Sequence, residues 1–341
     1  MDTHPDFERL AREYGPRLAH LQLRHRVVAV LGLLMYSLSF LWLLGTLSIS
    51  LWVPAEQQAS YGLVGFMILV PVAILSVVFT RVLKRLSALE QSVRWELFSG
   101  MFPGMAFSER EVSDRDLANS QLFGQRSFGR DSFSTTFGRL AGQARGVELQ
   151  VYDLGVGILP EEGWRDSPLR QYFKMLYNSV IRPIFAARHD SASLDFRGMF
   201  GCYHIDRMTY ASQLLILPDH MEGRIGHFAQ TLQSFRKQHG ASLVRLEDPD
   251  FERYFAVYAD DEVAARRVLT PAMMRRMTQL RENFGRDIMF SFTKWDFYFA
   301  APMPEGFLSI RPSRAGSADQ LRAIHHDVQT ALSLVGVLGV K

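Results

Sequence analysis

The chain has 341 residues, 48% of them hydrophobic, and a formal net charge of +3 at pH 7. Its 38 lysine and arginine residues are spread among 35 acidic residues rather than concentrated in a tract, which argues against nucleic acid as a partner. The single cysteine, Cys202, excludes an intramolecular disulfide and any multi-cysteine metal site, and it fits a reducing compartment.

Two long uncharged runs occupy most of the first part of the chain. No charged side chain occurs in residues 27–55 or in residues 57–80. Hydrocarbon about 30 Å thick is crossed by roughly 20 apolar helical residues, so each run is long enough to span it. The sequence therefore predicts a transmembrane helical hairpin over 27–82, with spans at about 27–53 and 61–80.

The charges that flank the two runs predict the orientation of this hairpin. The loop PAEQQAS between the runs contains no lysine or arginine. Basic residues lie before the first run and after the second: Arg17, Arg24, Arg26, Arg81, Lys84 and Arg85. By the positive-inside rule, both termini are expected in the cytoplasm and the loop outside.

Residues 1–26 carry apolar side chains three or four positions apart, which predicts an amphipathic helix. Pro5 suits the start of this helix, and Gly15-Pro16 is expected to break or bend it. Two interpretations fit the pattern. The segment lies on the inner face of the membrane, or it packs on the protein's own soluble part.

A helical stripe continues beyond the second run and predicts a stalk or linker over 83–104. Gly100 and Pro103 are expected to end this helix. A plain linker is favoured over a coiled coil with a second copy, because the stripe spans under three heptads. The stripe consists of Leu83, Leu86, Leu89, Val93 and Leu97.

From about residue 105 the pattern changes to that of an α+β domain, 105–341. Alternation of apolar and polar residues with glycine breaks predicts antiparallel strands up to about residue 156, and the run LDFRGMFGCYHIDRMTYASQLLILPD predicts two more that end at Pro218. Helices are expected over about 225–240, after Thr270-Pro271, and near the C-terminus. The segments IMFSF and DFYFAAP predict a hairpin. The predicted fold is therefore mostly antiparallel strands with helices packed on one side.

The stretch RLEDPDFERYFAVYADDEVAARRVLTPAMMRRMTQL carries a recognisable set of motifs. Its L-E-D-P-x-F opening, F-x-V-Y-x-x-D centre and A-R-x-x-L-T-P close resemble those of the bacterial DUF3137 family. The matching positions are Leu246, Glu247, Asp248, Pro249, Phe251, Phe255, Val257, Tyr258, Asp261, Ala265, Arg266, Leu269, Thr270 and Pro271. Weaker similarity lies in GRDSF at 129–133 and FRGMF at 196–200, and residues 155–193 have no counterpart. The resemblance implies two N-terminal transmembrane helices and a cytoplasmic domain of unknown function in the bacterial inner membrane. It implies no activity.

Two histidine pairs raise the question of acid–base or metal chemistry. His189-Asp190 and His204 with Asp206 have suitable side chains, but the sequence supplies no third and fourth group at a matching spacing. His325 and His326 are adjacent on a predicted helix and point about 100° apart, so they do not chelate together. Solvated or hydrogen-bonded polar residues are the favoured interpretation.

The acidic residues of the motif permit a binding role and a structural one. Glu247 and Asp248 before Pro249 fit a cation or basic-partner site, or a turn whose carboxylates bind nearby amides. Asp260-Asp261 fits a helix cap. The structural interpretation is favoured for both groups.

Five arginines between positions 266 and 281 form the densest group of basic residues, and two roles are open for this basic set. It is expected either to meet anionic lipid or to pair with the acidic motif just upstream. The set consists of Arg266, Arg267, Arg275, Arg276 and Arg281. Cys202 has no basic flank that would favour a thiolate, so a buried small residue is favoured over a nucleophile.

The sequence as a whole predicts a membrane-anchored cytoplasmic domain that acts by binding, as a scaffold or sensor. No catalytic, cofactor-binding or metal residue and no cofactor is assigned. The expected partners are the lipid bilayer, other membrane or cytoplasmic proteins, and a second copy of the chain. An alternative is a membrane-associated enzyme or lipid-binding protein whose site unites two or more of His189, His204, Glu247, Asp248 and Arg266. A subunit of an oligomeric pore is less favoured, because neither span contains an ionisable residue.

Overall fold

A computed structural model describes residues 5–52, 54–102, 104–124, 128, 132–144, 147–158, 194–204, 213–219, 240–308 and 317–337. These residues divide into two compact units. The first contains the N-terminal helices up to Glu96, and the second contains nearly all the described residues from Leu97 onward.

The N-terminal part of the first unit contains two long helices, α1 (Pro5–Trp52) and α2 (Ala55–Met101), the latter up to Glu96. The prediction that Gly15-Pro16 breaks the first helix is wrong, since α1 continues through Pro16. Buried side chains on both sides of the proline, at Tyr14 and Leu18, offset the hydrogen bond that proline cannot donate.

Polar contacts fix the pairing of α1 with α2. The Tyr14 hydroxyl donates to the Glu96 carbonyl oxygen at 3.3 Å, and Arg17 forms an ion pair with the Glu96 carboxylate. Farther along, His25 Nε2 lies 3.3 Å from Glu90 Oε2. Because residue numbers rise along α1 as they fall along α2, the two helices run antiparallel here.

One helical segment among the described residues, Arg12–Thr46, is long and apolar enough to cross a membrane. It covers most of the first predicted span. Residues 61–80, the second predicted span, lie within α2, but most of their side chains fall outside those described. The structure thus gives one candidate span by length and composition, and a two-span hairpin is not established by it.

The second unit is built on a nine-stranded sheet in which the described strands pair with one another antiparallel. Its order is β1-β2-β3-β4-β9-β8-β5-β7-β6. The strands are β1 (Met105–Ser108), β2 (Ser132–Ala144), β3 (Val147–Ile158), β4 (Phe196–His204), β5 (Leu214–Pro218), β6 (Ser242–Val244), β7 (Phe255–Ala259), β8 (Met289–Phe292) and β9 (Asp296–Pro302). The predicted α+β class with antiparallel strands is confirmed, as is the β8–β9 hairpin.

Among the described residues, five helices accompany the sheet: α3 (Asp114–Ser120), α4 (Pro249–Glu252), α5 (Glu262–Val268), α6 (Pro271–Phe284) and α7 (Ser317–Val337). The predicted start of α6 is confirmed, since Thr270 Oγ1 accepts from the Met273 amide at 3.3 Å. Its end is set by Gly285, whose φ of 66° suits glycine. The helix predicted over 225–240 falls almost wholly outside the described residues, and α3 was not predicted from the sequence.

Both faces of the sheet are buried at Phe297, Tyr298 and Phe299 of β9. One core cluster lies on the face where α3 and the residues around it cover β3, β4 and β9. Leu117 of α3, Phe123, Tyr152, Phe200 and Tyr298 belong to one buried cluster. Phe123 packs on Phe200 with ring centroids 5.7 Å apart, and Phe200 stacks on Tyr298 at 6.1 Å. This aromatic layer brings α3 against the middle of the sheet.

Candidate functional site

Polar side chains gather at the border of this aromatic core. In the sheet register Arg139 opposes Tyr152, and Cys202 opposes Tyr298. Opposed residues of antiparallel strands project from the same face, and so does Asp296, two positions before Tyr298. With Asp116 of α3, these residues form what is called here the polar cluster: Asp116, Arg139, Tyr152, Cys202, Asp296 and Tyr298.

The helix α3 brings the first carboxyl group to the polar cluster. Ser113 caps this helix through a hydrogen bond from the Arg115 amide at 3.2 Å. Leu117 is fully buried in the core, which fixes the helix over the sheet. Asp116 is its neighbour, only half-buried, and lies close enough for its charge to affect Cys202 and Tyr298.

Burial and nearby negative charge raise the pKa values of Asp116 and Tyr298. Burial is the main cause that raises the pKa of Asp116 above its ordinary value, and the charge of Asp296 raises that pKa further. Burial likewise raises the pKa of Tyr298, with Asp296 as the next cause. The Asp116 carboxyl therefore holds its proton to a higher pH than an exposed aspartate does.

The thiol of the cluster stays neutral. Burial, followed by the charges of Asp116 and Asp296, raises the pKa of Cys202 to about 12. Since the thiolate is the nucleophile and the metal ligand, Cys202 is a poor candidate for either role at neutral pH. The sequence favours a buried small residue at Cys202, and the structure shows a partly buried side chain packed against the core cluster.

Two further contacts order the other side of the cluster. The Tyr152 hydroxyl donates to Gln150 Oε1 at 2.7 Å. The guanidinium carbon of Arg139 lies 5.8 Å from the centre of the Tyr152 ring, within range of a cation–π contact. The cluster thus combines a cation, two carboxyl groups and phenol hydroxyls beside an apolar wall, an arrangement suited to binding a polar group by hydrogen bonds.

Metal binding receives no support from the described residues. Within the ranges that the structure describes, no three histidine, cysteine or acidic side chains are grouped so as to hold a metal ion. Asp116 and Asp296 are two acidic groups near a protonated thiol.

The acidic residues of the family motif serve local backbone groups. Asp248 caps α4 by accepting from the Phe251 amide at 3.1 Å, and Glu252 Oε1 accepts from the Leu246 amide at 2.6 Å. Asp261 caps α5 and accepts from the Val263 amide at 2.9 Å. The predicted turn and cap roles of Asp248 and Asp261 are confirmed.

The basic set has local partners as well. Arg266 Nη2 lies 2.8 Å from Glu262 Oε1 and donates to the Arg245 carbonyl oxygen at 2.9 Å. Arg281 forms an ion pair with Asp287 at 2.7 Å. Two of the five arginines therefore form ion pairs with acids close in sequence. The partner of Arg266 is Glu262, which lies outside the L-E-D-P-x-F and F-x-V-Y-x-x-D motifs.

Among the described residues, no hydrogen bond joins two members of the dispersed set predicted for an enzyme. Glu247 nevertheless lies near Arg266, whose pKa is raised by its hydrogen bond to Glu262 and further by the charge of Glu247. His189 lies outside the described residues, and the side chain of His204, which opposes Asp296 in the register, is not described either. Asp248 and Arg266 make the separate local contacts given above. The residues that do converge, such as Asp116 and Asp296, are 180 positions apart and carry no shared motif.

These features define an α+β protein with a nine-stranded antiparallel sheet and a long N-terminal helix pair. The model of the family described as "Protein of unknown function (DUF3137)" matches residues 194–339. The family predicted from the motifs is thus confirmed over this part of the chain, which begins just before β4 and includes both Cys202 and Asp296 of the polar cluster.

Other comparisons add little to this assignment. No curated protein matches the sequence. A crystal structure of the mycobacterial trehalose monomycolate transport factor A, TtfA, is similar at 12% sequence identity and a TM-score of 0.32, over 68% of this chain and 88% of that chain. A TM-score of this size does not establish a common fold.

Proposed function

We propose that the protein is anchored in the bacterial inner membrane by a two-span hairpin and that its sheet domain binds another molecule as a scaffold or sensor. The proposed organisation is a cytoplasmic segment 1–26, the hairpin 27–82, a stalk 83–104 and a cytoplasmic domain 105–341. Both termini face the cytoplasm in this proposal.

Exposed apolar side chains on α1 carry the proposal of an anchor. Ten large apolar residues between Leu23 and Leu44 are each 38–63% exposed. They are Leu23, Val27, Val30, Leu31, Leu33, Leu34, Leu38, Phe40, Leu41 and Leu44. An apolar surface of this extent is unfavourable in water and favourable in hydrocarbon.

The described part of the second uncharged run supports two spans rather than one. Ile74, Leu75, Val77 and Val78 of α2 are 48–59% exposed, whereas Phe79 of the same turn is buried. Met35 and Tyr36 of α1 are buried as well. Two helices that bury one stripe and expose the rest fit a hairpin surrounded by lipid.

The polar cluster supports binding as the role of the sheet domain. Its thiol is held neutral, and its hydroxyl groups have raised pKa values, so the groups described favour hydrogen bonding over nucleophilic attack. The family motif contributes helix caps at Asp248, Asp261 and Thr270.

Membrane topology is tested with reporters fused to the full chain. A reporter after Lys341 is expected to be active only if it works in the cytoplasm, and one inserted at Gln57 only if it works outside. The protein is also expected to stay in the membrane pellet after alkaline carbonate extraction. Release by carbonate, or the reverse reporter pattern, would overturn the anchor or its orientation.

Binding by the sheet domain is tested with the full chain in lipid nanodiscs. Proteins and metabolites recovered with the wild type are compared with those recovered with Arg139→Gln and Asp296→Asn, and with the exposed-site control Arg253→Gln. A partner retained by the control and lost with both cluster variants supports the proposal. Equal recovery by all four proteins would remove the polar cluster as the binding site.

A further inference from the structure

Five exposed cations in the first unit have no described side-chain partner. Arg24 and Arg26 lie on α1, and Arg81, Lys84 and Arg85 lie on α2. Within the described ranges none of the five forms an ion pair. Other basic residues of the same helices do face acids: Arg12 pairs with Glu8, Arg17 pairs with Glu96, and the His25 imidazole lies beside Glu90.

The contact between His25 and Glu90 aligns α1 with α2, so the positions of the five cations along the helix pair can be compared. Each residue adds about 1.5 Å along the helix axis. Because the helices are antiparallel, higher residue numbers on α1 and lower ones on α2 lie in the same direction from this contact. Arg81 therefore lies about 13 Å from the pair, level with Leu34, and Arg85 lies about 7 Å from it. Arg24 and Arg26 flank the contact itself.

The same geometry locates the edge of the hydrocarbon. From Leu34 to Trp52 the helix rises about 27 Å, close to the roughly 30 Å of a bilayer's hydrocarbon core. A membrane centred on that stretch has its edge near the level of Arg81. All five cations then lie at or outside this edge, where the long side chains of lysine and arginine extend toward the headgroups.

Acidic side chains are missing from this zone in the sequence. On α1 no acid follows Glu13, and on α2 none lies between Glu56 and Glu90. Glu90, at the zone's outer limit, already faces His25. The unbalanced charge of the zone is therefore positive.

We propose that Arg24, Arg26, Arg81, Lys84 and Arg85 form a basic belt that binds the headgroups of anionic phospholipids. The inference rests on the proposed membrane anchor and adds the class of lipid that it recognises. Zwitterionic headgroups carry no net charge to complement five cations, whereas anionic headgroups do, and exposed apolar residues such as Leu34 and Leu38 meet their acyl chains.

The test uses the full chain reconstituted in vesicles of phosphatidylcholine with phosphatidylglycerol. Spin-labelled phosphatidylglycerol and phosphatidylcholine report the lipid in contact with the protein. The wild type is expected to prefer the anionic lipid, and Arg81→Gln/Lys84→Gln/Arg85→Gln to lower that preference by roughly tenfold or more. Because the zone is open to solvent at its edge, 0.5 M salt is expected to weaken the wild-type preference.

A second triple variant controls for net charge. Arg110, Arg115 and Arg267 are exposed arginines of the sheet domain, and replacing all three by glutamine removes the same charge. This control is expected to keep the wild-type preference. Equal preference in the wild type and the belt variant, or loss of preference in the control, would overturn the basic belt while leaving the anchor intact. Failure of the wild type to enter vesicles would overturn the anchor and the belt together.

Discussion

The guanidinium of Arg197 lies 3.1 Å from Asp153 Oδ2 inside the sheet domain, joining β4 to β3. Asp153 is fully buried and Arg197 almost so. The same carboxylate oxygen accepts from the Leu308 amide at 3.1 Å, and the guanidinium lies over the Phe137 ring. The arginine of the FRGMF motif thus connects two central strands to the segment that follows β9.

Removing one partner of this pair is expected to be severely destabilising. Arg197→Met leaves a buried carboxylate without its guanidinium, which costs about 3–5 kcal/mol. For a domain of this size that corresponds to a fall in Tm of roughly 6–20 °C. The measurement is thermal unfolding of the full chain in detergent, followed by near-UV circular dichroism.

The double variant Arg197→Met/Asp153→Asn provides the control. Asparagine keeps an acceptor for the Leu308 amide and carries no charge, so much of the lost stability is expected to return. A double variant no more stable than Arg197→Met would contradict the role given to the charge.

Replacing Gly198 of the same motif is expected to destabilise the fold, even when the new residue is alanine. A Cβ there would fall against the Ala301 carbonyl oxygen and the Met303 amide, both backbone atoms of the neighbouring segment. Gly198→Ala therefore forces β4 from β9, at a cost of about 1–3 kcal/mol in the free energy of unfolding. Gly45→Ala is the matched control, since nothing lies within 4 Å of its added methyl group. Equal Tm values for the two variants would show that β4 and β9 separate without cost.

The cap of α6 is expected to contribute a modest, hydroxyl-dependent stability. Thr270→Ala removes the acceptor for the Met273 amide and should cost about 1 kcal/mol, whereas Thr270→Ser retains it. The corresponding Tm shift is roughly 2–4 °C for alanine. A serine variant as unstable as the alanine variant would mean that the methyl group, not the hydroxyl, stabilises this helix.

Asp116 is expected to make the free energy of unfolding fall as pH rises. Its pKa is raised in the folded protein, mainly by burial, so the folded state binds the proton more strongly than the unfolded state does. Stability from this group is then present below the ordinary pKa of 3.8 and is lost as pH rises through the raised value. Asp116→Asn cannot ionise and should lose less stability over that rise.

The comparison is made as the difference in Tm between Asp116→Asn and the wild type, from pH 4 to pH 8. The difference is expected to grow in favour of asparagine as pH increases. Asp114→Asn serves as control, because Asp114 is an exposed acid at the start of the same helix. A difference that shrinks with rising pH would contradict the raised pKa of Asp116.

Cys202 is expected to react slowly with alkylating reagents in the folded protein. A pKa of about 12, against an ordinary 9.0, lowers the thiolate fraction at pH 8 by about a thousandfold. Iodoacetamide labelling, followed by mass spectrometry, is compared between native and urea-unfolded protein. Similar rates in the two states would show that the thiol is neither buried nor held neutral.

Local signals predicted the elements whose ends are determined by neighbouring residues. Thr270, Pro271 and Gly285 mark the two ends of α6, because a capping hydroxyl, a fixed φ and a left-handed glycine act within one helical turn. Alternation predicted β3, and two apolar segments that flank the short TKW connection predicted the β8–β9 hairpin. The continuous α1 was missed at Pro16 because packing against α2 outweighs proline's local preference.

The polar cluster could not be predicted because its members meet through the order of strands in the sheet. Asp116 lies on α3, a short helix that the sequence pattern did not predict. Asp296 lies on β9, which becomes a neighbour of β4 only when the sheet forms. No spacing along the chain relates them. Asp153 and Arg197 are likewise 44 positions apart and were not singled out.

The position of β9 between β4 and β8 has a consequence for synthesis on the ribosome. The centre of the sheet cannot close until this late strand emerges, whereas α1 is complete about 250 residues earlier. At 5–20 residues per second, that delay is about 12–50 s. In the anchored protein proposed above, the apolar helix is therefore available for insertion into the membrane well before the sheet closes, and the growing chain completes its second unit while already tethered.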